Sequence, residues 1–244
     1  MEDGAGVAGV AGGGTRVVAV DGRSGAGKTS LAAALASVLR APVVSLEDLY
    51  GGWDGLERGI ELLVGEVLEP LAAGRAARVP RYDWVTGAWG TPWVLEPPGV
   101  LIVEGVGAGA RRAARYENAL IWLEAPARER QRRALDRDGA ALAPHWDRWA
   151  AQEDALLARE HTAERAGLVI DGRGDSASAA RRVLAWLSAG QAGEAGQAGR
   201  SGQAGRSGQA GGSRQAGGSG QMIASGPNSM TERAASVTEP DSDG

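Results

Sequence analysis

The sequence predicts an α/β fold built around a parallel sheet. Apolar runs typical of buried strands alternate with segments of helical periodicity from about residue 15 to residue 188. The first such strand, Thr15–Asp21, leads through a glycine-rich turn directly into a helix. Acidic residues follow several strands, at the sheet edge where ligands of parallel α/β folds bind. We therefore expect one domain, with a composite site at the carboxyl ends of its strands.

The first half of this domain begins with the continuous apolar run Val17–Val20, which is typical of a strand buried on both faces. A helix at about Lys28–Arg40 follows, because Leu31 and Leu35 are one helical turn apart. Pro42 precedes a short second strand, Val43–Leu46.

The second half continues the alternation. Leu56–Ala73 has apolar residues at helical spacing, and Val79–Trp93 is a tryptophan-rich excursion that ends before two prolines. Continuous apolar runs then predict three more strands. These runs are Val100–Gly105, Leu120–Leu123 and Leu168–Gly172. The remaining predicted helices are Pro126–Arg137, His145–Arg165 and Ser176–Leu187.

Composition excludes several classes of protein. The net charge is −4, with acids and arginines interspersed, so we expect no nucleic-acid partner. The chain has no cysteine, which excludes disulfides and thiolate zinc sites. It has no apolar run long enough to span a membrane, so we expect a soluble, cytoplasmic protein. Gly/Ala-rich residues 1–14 and the repetitive Gly/Ala/Gln/Ser-rich residues 189–244 are predicted to be disordered, which leaves the domain at residues 15–188.

The turn after the first strand has the P-loop spacing G-x-x-x-x-G-K-[ST], met by Gly22, Gly27, Lys28 and Thr29. Glycines let successive N–H groups converge on a phosphate, and the helix that follows adds the positive end of its dipole. Lys28, the only lysine in the chain, is expected to reach the β- and γ-phosphates, and Thr29 to hold Mg²⁺. The predicted ATP-binding residues are Gly22, Arg23, Ser24, Gly25, Ala26, Gly27, Lys28, Thr29 and Ser30.

Acidic residues at two other strand ends are candidates for the chemistry. Glu104 ends an apolar strand, in the position of an acid that holds Mg²⁺ directly or through water. Glu47 and Asp48 end the second strand, and one of them could accept the proton of a substrate hydroxyl while the other supports the metal or an arginine. Adjacent side chains point apart, so only one can face the reacting atom.

Arginines and aromatic residues are candidates for the remaining parts of the site. Arg133 and Arg137 share one face of the helix at Pro126–Arg137, which could close over the phosphates as a lid. Solvated pairing with nearby acids is the alternative for these arginines. The predicted contacts to a small hydroxylated acceptor are Trp53, Asp54, Tyr82 and Asp83. Core packing is the alternative for the tryptophans, since the chain has no phenylalanine.

These motifs, in this order, resemble the uridine kinase and nicotinamide riboside kinase family of P-loop kinases. The resemblance rests on Asp21–Thr29, Glu47–Tyr50, Tyr82–Trp84, Val103–Gly105 and the arginine-rich helix. It implies a P-loop NTPase fold of the nucleoside-kinase kind, with a five-stranded parallel sheet and a mobile lid. It also implies transfer of the γ-phosphate of ATP to a nucleoside or a similar primary hydroxyl.

The chain departs from this family at two points. Glu47 stands where the family has its catalytic aspartate, and no histidine lies near Gly87, where uridine kinases have one that reads the pyrimidine. We therefore expect an ATP- and Mg²⁺-dependent small-molecule kinase that acts on a nucleoside-like acceptor. The alternative is a regulatory ATP-binding P-loop protein without kinase turnover.

Overall fold

The computed structural model describes residues 14–201, with side chains for residues 14–190. The strands are β1 Arg16–Gly22, β2 Val43–Ser45, β3 Ala77–Val79, β4 Tyr82–Asp83, β5 Ala88–Trp89, β6 Trp93–Leu95, β7 Val100–Glu104, β8 Glu117–Glu124 and β9 Leu168–Asp171. The helices are α1 Lys28–Leu39, α2 Leu56–Leu62, α3 Glu69–Ala72, α4 Ala127–Leu142, α5 Trp146–Glu160, α6 Thr162–Arg165 and α7 Ser176–Ser201. Five parallel strands form the central sheet in the order β2-β7-β1-β8-β9, which confirms the predicted fold class.

The sheet separates two clusters of buried apolar side chains, one on each face. Along β1, Val17 and Ala19 join the first cluster, while Val18 and Val20 join the second. Alternate side chains of a strand point to opposite faces, so this central strand is buried on both sides. The P-loop that follows β1 therefore starts from a strand that is enclosed on both faces.

The tryptophan-rich excursion forms two small antiparallel ladders apart from the central sheet. One pairs β3 with β6, and the other pairs β4 with β5. The β4–β5 hairpin brings Tyr82 opposite Trp89. Sequence reasoning had identified this stretch as an excursion without assigning strands to it.

One predicted helix contains a π-helical segment just before a proline. The α-helical segment Leu56–Leu62 gives way to a π-helical segment, Leu63–Leu68, before α3 begins at Glu69. Pro70 lacks an N–H group, and its ring crowds the carbonyl group four residues earlier. Pro70 therefore accounts for the wider helical spacing just before it, as π-helical turns accommodate such a mismatch.

Two further helices are broken by a residue with positive φ. Gly139, with φ 48° and ψ −126°, breaks α4 close to its expected end at Arg137, and helical structure then resumes as far as Leu142. The helix predicted at His145–Arg165 ends at Glu160, because His161 adopts a left-handed conformation with φ 51° and starts the short α6.

The two terminal segments predicted to be disordered, residues 1–14 and 189–244, lie mostly outside the described residues. α7 continues past its expected end at Leu187 to Ser201, so its last residues belong to the second of these segments. Within residues 14–201, no helix is both long enough and apolar enough to cross a bilayer.

A fully buried carboxylate ties the end of β1 to the loop after β7. Asp21 accepts hydrogen bonds from the N–H groups of Gly22 at 2.7 Å, Gly107 at 3.1 Å and Gly109 at 2.9 Å. Burial raises the pKa of Asp21 to about 6, against the lowering effect of these three donors and of Lys28. The end of β1, which leads into the P-loop, and the loop after β7, which follows Glu104, are thus held together by one side chain.

We predict that Asp21→Ala lowers the free energy of unfolding by about 3 kcal/mol, because it leaves buried N–H groups without an acceptor. Asp21→Asn keeps one acceptor oxygen and should show an intermediate loss. Urea unfolding, followed by circular dichroism, measures both changes. A loss below about 0.5 kcal/mol for Asp21→Ala would show that the loop is held by other contacts.

Candidate functional site

The P-loop adopts the tight turn that its glycines predict. Gly25 and Gly27 have φ of 77° and 99°, a region that other residues rarely occupy. A Cβ atom on Gly25 would lie 2.1 Å from the carbonyl oxygen of Arg130 in α4. The backbone of α4 thus packs directly on the loop, and only glycine fits between them.

The loop ends at the amino terminus of α1, where Lys28 is the first helical residue. No side chain caps this helix, so its first N–H groups are available to a bound anion. Lys28 is 8% exposed, and its Nζ donates to the carbonyl oxygen of Arg23 at 3.0 Å. The ammonium group therefore lies against the P-loop, where it is expected to bind phosphate.

A cluster of oxygen atoms lies beside the amino terminus of α1. Glu104, 2% exposed at the end of β7, accepts hydrogen bonds on Oε1 from Ser45 Oγ at 2.7 Å and from Thr29 Oγ1 at 3.4 Å. Two hydroxyls and a carboxylate form the hard-oxygen donor set that suits Mg²⁺. Thr29 and Glu104 were predicted from the sequence, whereas Ser45 was missed although it ends a strand next to β7.

Glu47 lies close to this cluster, in the short helical turn Leu46–Asp48 after β2. Burial raises the pKa of Glu47 to about 7, although part of its side chain reaches the surface. The guanidinium of Arg137 lowers this pKa, and the carboxylates of Glu104 and Asp138 raise it further. A carboxylate with this pKa can exchange a proton near neutral pH.

Arg137 connects α4 to Glu47. Its Nη2 lies 3.4 Å from Glu47 Oε1, and the same guanidinium donates twice to Asp138, with Nη2 at 2.6 Å from Oδ2. Asp138 is completely buried, so its pairing with Arg137 differs from the solvated contact that is the alternative predicted for these arginines. A carboxylate on each side thus orients this arginine.

The other arginines of α4 have different surroundings. Arg133 donates to the carbonyl oxygen of Gly172 at 2.7 Å and pairs with Glu129. Arg130 is 8% exposed and donates to backbone carbonyls, and Arg132 pairs with Asp136 at the surface.

A cavity of about 380 Å³ joins the P-loop to these residues. The predicted site residues that line it are Ser24, Gly25, Ala26, Gly27, Lys28, Thr29, Ser30, Glu47, Arg133 and Arg137. Of the two adjacent acids, Glu47 faces the cavity. Asp171, the last residue of β9, and Gly172 also line it.

Aromatic residues pack on the other side of Glu47. The Nε1 of Trp84 donates to the backbone carbonyl oxygen of Glu47 at 3.0 Å. The rings of Trp53 and Tyr82 lie 4.9 Å and 5.2 Å from that of Trp84, and His145 stacks on Trp53 at 4.6 Å. These four aromatic residues form a continuous group that includes two predicted acceptor contacts, Trp53 and Tyr82.

The two predicted acceptor aspartates have other partners. Asp54 pairs with Arg148 at the surface. Asp83 accepts hydrogen bonds from the N–H groups of Val85 and Thr86 in the turn of the β4–β5 hairpin. These contacts give both carboxylates a role in shaping loops.

Comparison with known proteins agrees with this architecture. No protein-family model matches the sequence, and no curated protein matches it. The structure is similar to that of a possible uridine kinase from Bacillus stearothermophilus, with a TM-score of 0.50 and 22% sequence identity over 66% of this chain and 91% of that chain. The chain has the fold of a P-loop NTPase. A shikimate kinase from Acinetobacter baumannii is also similar, with a TM-score of 0.48 and 14% identity over 72% of this chain and 94% of that one.

We predict that Gly25→Ala in this P-loop weakens binding of a non-hydrolysable ATP analogue by at least about tenfold, because the added methyl group collides with the backbone of α4. Gly65→Ala is the matched control, since Gly65 is exposed and a Cβ there meets nothing within 4 Å. Titration calorimetry measures binding, and thermal melting checks that both variants fold. Equal affinities in the two variants would contradict the assignment of this loop.

Proposed function

We propose that this protein is a small-molecule kinase of the uridine kinase and nicotinamide riboside kinase type, which uses ATP and Mg²⁺ to phosphorylate a hydroxyl group of a nucleoside-like acceptor. The observation that carries this proposal is the position of Glu47. It lines the same cavity as Lys28 and Thr29, with a pKa near 7, while Trp84 binds its backbone carbonyl from the aromatic side. A proton acceptor thus stands between a phosphate-binding loop and a group of flat side chains.

The P-loop binds the phosphate donor, ATP. The N–H groups at the start of α1 and the ammonium of Lys28 bind the phosphates of ATP. Thr29, Ser45 and Glu104 provide oxygen ligands for Mg²⁺, which neutralises phosphate charge when it is bound. Arg133 and Arg137 contribute the positive charge of the lid.

Glu47 activates the hydroxyl group that accepts the phosphate. The carboxylate takes the proton of the acceptor hydroxyl, and the hydroxyl oxygen forms a bond to the γ-phosphorus of ATP. The bond from that phosphorus to the oxygen of the β-phosphate breaks, and ADP leaves with the bonding electrons. Trp53 and Tyr82 provide ring faces and edges on which a planar base can stack.

We predict that Glu47→Gln lowers the rate of product formation by at least about a hundredfold with a panel of nucleosides and ATP, because the amide cannot accept the proton. Asp48→Asn should cause a much smaller loss. Asp136→Asn is the surface control, since Asp136 is exposed and pairs with exposed Arg132. Chromatography of the phosphorylated product measures all three variants.

The regulatory alternative makes the opposite prediction. It requires that no nucleoside yields a product, and that neither Glu47→Gln nor Asp48→Asn alters the basal release of ADP. Binding of the ATP analogue would then persist without any phosphotransfer.

We also predict a pH dependence that follows from Glu47. Because burial raises the pKa of its carboxyl to about 7, the active deprotonated form increases as the pH rises, and so should kcat/KM. Arg137 lowers this pKa, so Arg137→Ala should move the rise in kcat/KM to higher pH. Initial rates across the pH range measure both profiles. A rate that stays constant between about pH 6 and about pH 8 would contradict a catalytic base that titrates near pH 7.

A further inference from the structure

The helix that follows α4, α5, contacts the P-loop at Ser24. Glu153, 1% exposed, accepts a hydrogen bond from the N–H group of Ser24 at 2.9 Å. Trp149, 3% exposed and one turn earlier, donates through Nε1 to Ser24 Oγ at 2.9 Å and to Glu153 Oε1 at 2.8 Å. Two buried side chains on one helix face thus hold both the backbone and the side chain of a single loop residue.

The remaining polar groups at this point of the loop are held as well. Arg130 Nη1 in α4 donates to the carbonyl oxygen of Ser24 at 3.3 Å. Arg23 pairs with Asp154 at 2.5 Å and approaches Glu153 to 4.0 Å. A carboxylate that is desolvated this strongly needs several hydrogen-bond donors, and the loop supplies part of them.

The same helix also contacts the aromatic side of the site. The Trp149 ring lies 5.0 Å from that of Tyr50, which is fully buried three residues after Glu47. Gln152 Nε2 donates to the carbonyl oxygen of Trp53 at 2.8 Å, and Arg148 pairs with Asp54. One face of α5 therefore touches the P-loop, and neighbouring positions touch residues 50–54.

We propose that Trp149 and Glu153 are positioning residues, which fix the P-loop through Ser24 and connect it through α5 to the loop at residues 50–54. The carboxylate of Glu153 holds an N–H group that lies before Gly25, so it shapes the phosphate-binding turn without occupying it. The description of residues 50–54 as the acceptor side rests on the proposed function, whereas the connection itself requires only that a nucleotide binds.

The first test compares two variants of α5. Glu153→Ala removes the acceptor for Ser24, whereas Leu156→Ala removes a buried apolar side chain from the same helix without touching Ser24. Titration calorimetry with Mg²⁺ and adenylyl imidodiphosphate should show about tenfold weaker binding for Glu153→Ala and less than about twofold weaker binding for Leu156→Ala. Glu153→Gln keeps an acceptor oxygen and should restore most of the affinity.

Equal losses of affinity in Glu153→Ala and Leu156→Ala would overturn the proposal, because the effect would then follow stability alone. If Glu153→Ala fails to fold, Trp149→Phe replaces it in this comparison. This variant keeps an aromatic ring against Tyr50 but removes the N–H group that binds Ser24, and it should weaken binding by about threefold. Unchanged affinity in Trp149→Phe would also count against the proposal.

The second test follows the connection to residues 50–54. Saturating adenylyl imidodiphosphate should slow hydrogen exchange of the amides at residues 50–56 in the wild-type chain. In Glu153→Ala, saturated with the same ligand, this protection should be lost while the P-loop stays protected. Protection of both segments in the variant would overturn the connection. Neither test uses phosphotransfer, so a failure of the proposed kinase activity would be seen separately, as absence of product.

Discussion

The site depends on the buried carboxylate of Asp21. Its two oxygen atoms take three backbone N–H groups, from Gly22 at the start of the P-loop and from Gly107 and Gly109 in the loop after β7. β1 and β7 are neighbours in the sheet, so these bonds fix how the P-loop and Glu104 stand relative to each other. The raised pKa of Asp21 shows that desolvation of this carboxylate opposes its ionisation. The geometry of the donor site therefore rests on a group whose burial is itself unfavourable.

Charges in the site are arranged in alternation. Arg137 lies between the carboxylates of Glu47 and Asp138, while Lys28 lies against the P-loop close enough to lower the pKa of Glu47. The carboxylates of Glu104 and Glu47 repel each other, and a cation between them would offset this repulsion. Phosphate groups and Mg²⁺ that bind here would thus take the places of partners within the protein, and the charges of the site already have the signs needed to bind them.

The sequence predicted those parts of the site that depend on local pattern. The P-loop spacing located Gly25 and Lys28, and the rule that ligands bind at strand ends located Glu47 and Glu104. Ser45 could have been found by the same rule. Glu153 could not, because its partnership depends on a tertiary contact: Glu153 meets Ser24 across 129 positions of the chain. Asp138 pairs with its neighbour Arg137, but its complete burial depends on tertiary packing.

Local sequence pattern also leaves the details of a helix undetermined. The periodicity of Leu56–Ala73 predicted a helix, but apolar spacing alone gives no information about the π-helical turn before Pro70. The acceptor contacts predicted for two acidic residues stay predictions. Asp54 and Asp83 lie in the predicted loops, and their carboxylates bind an arginine and a hairpin turn.

The short strands β2 and β9, with three and four residues, are the two edge strands of the central sheet. Short edge strands expose few backbone N–H and C=O groups with which a strand of another molecule could pair, so they limit aggregation through the sheet. In β2, this brevity also ends the strand at Ser45, where its hydroxyl meets Glu104.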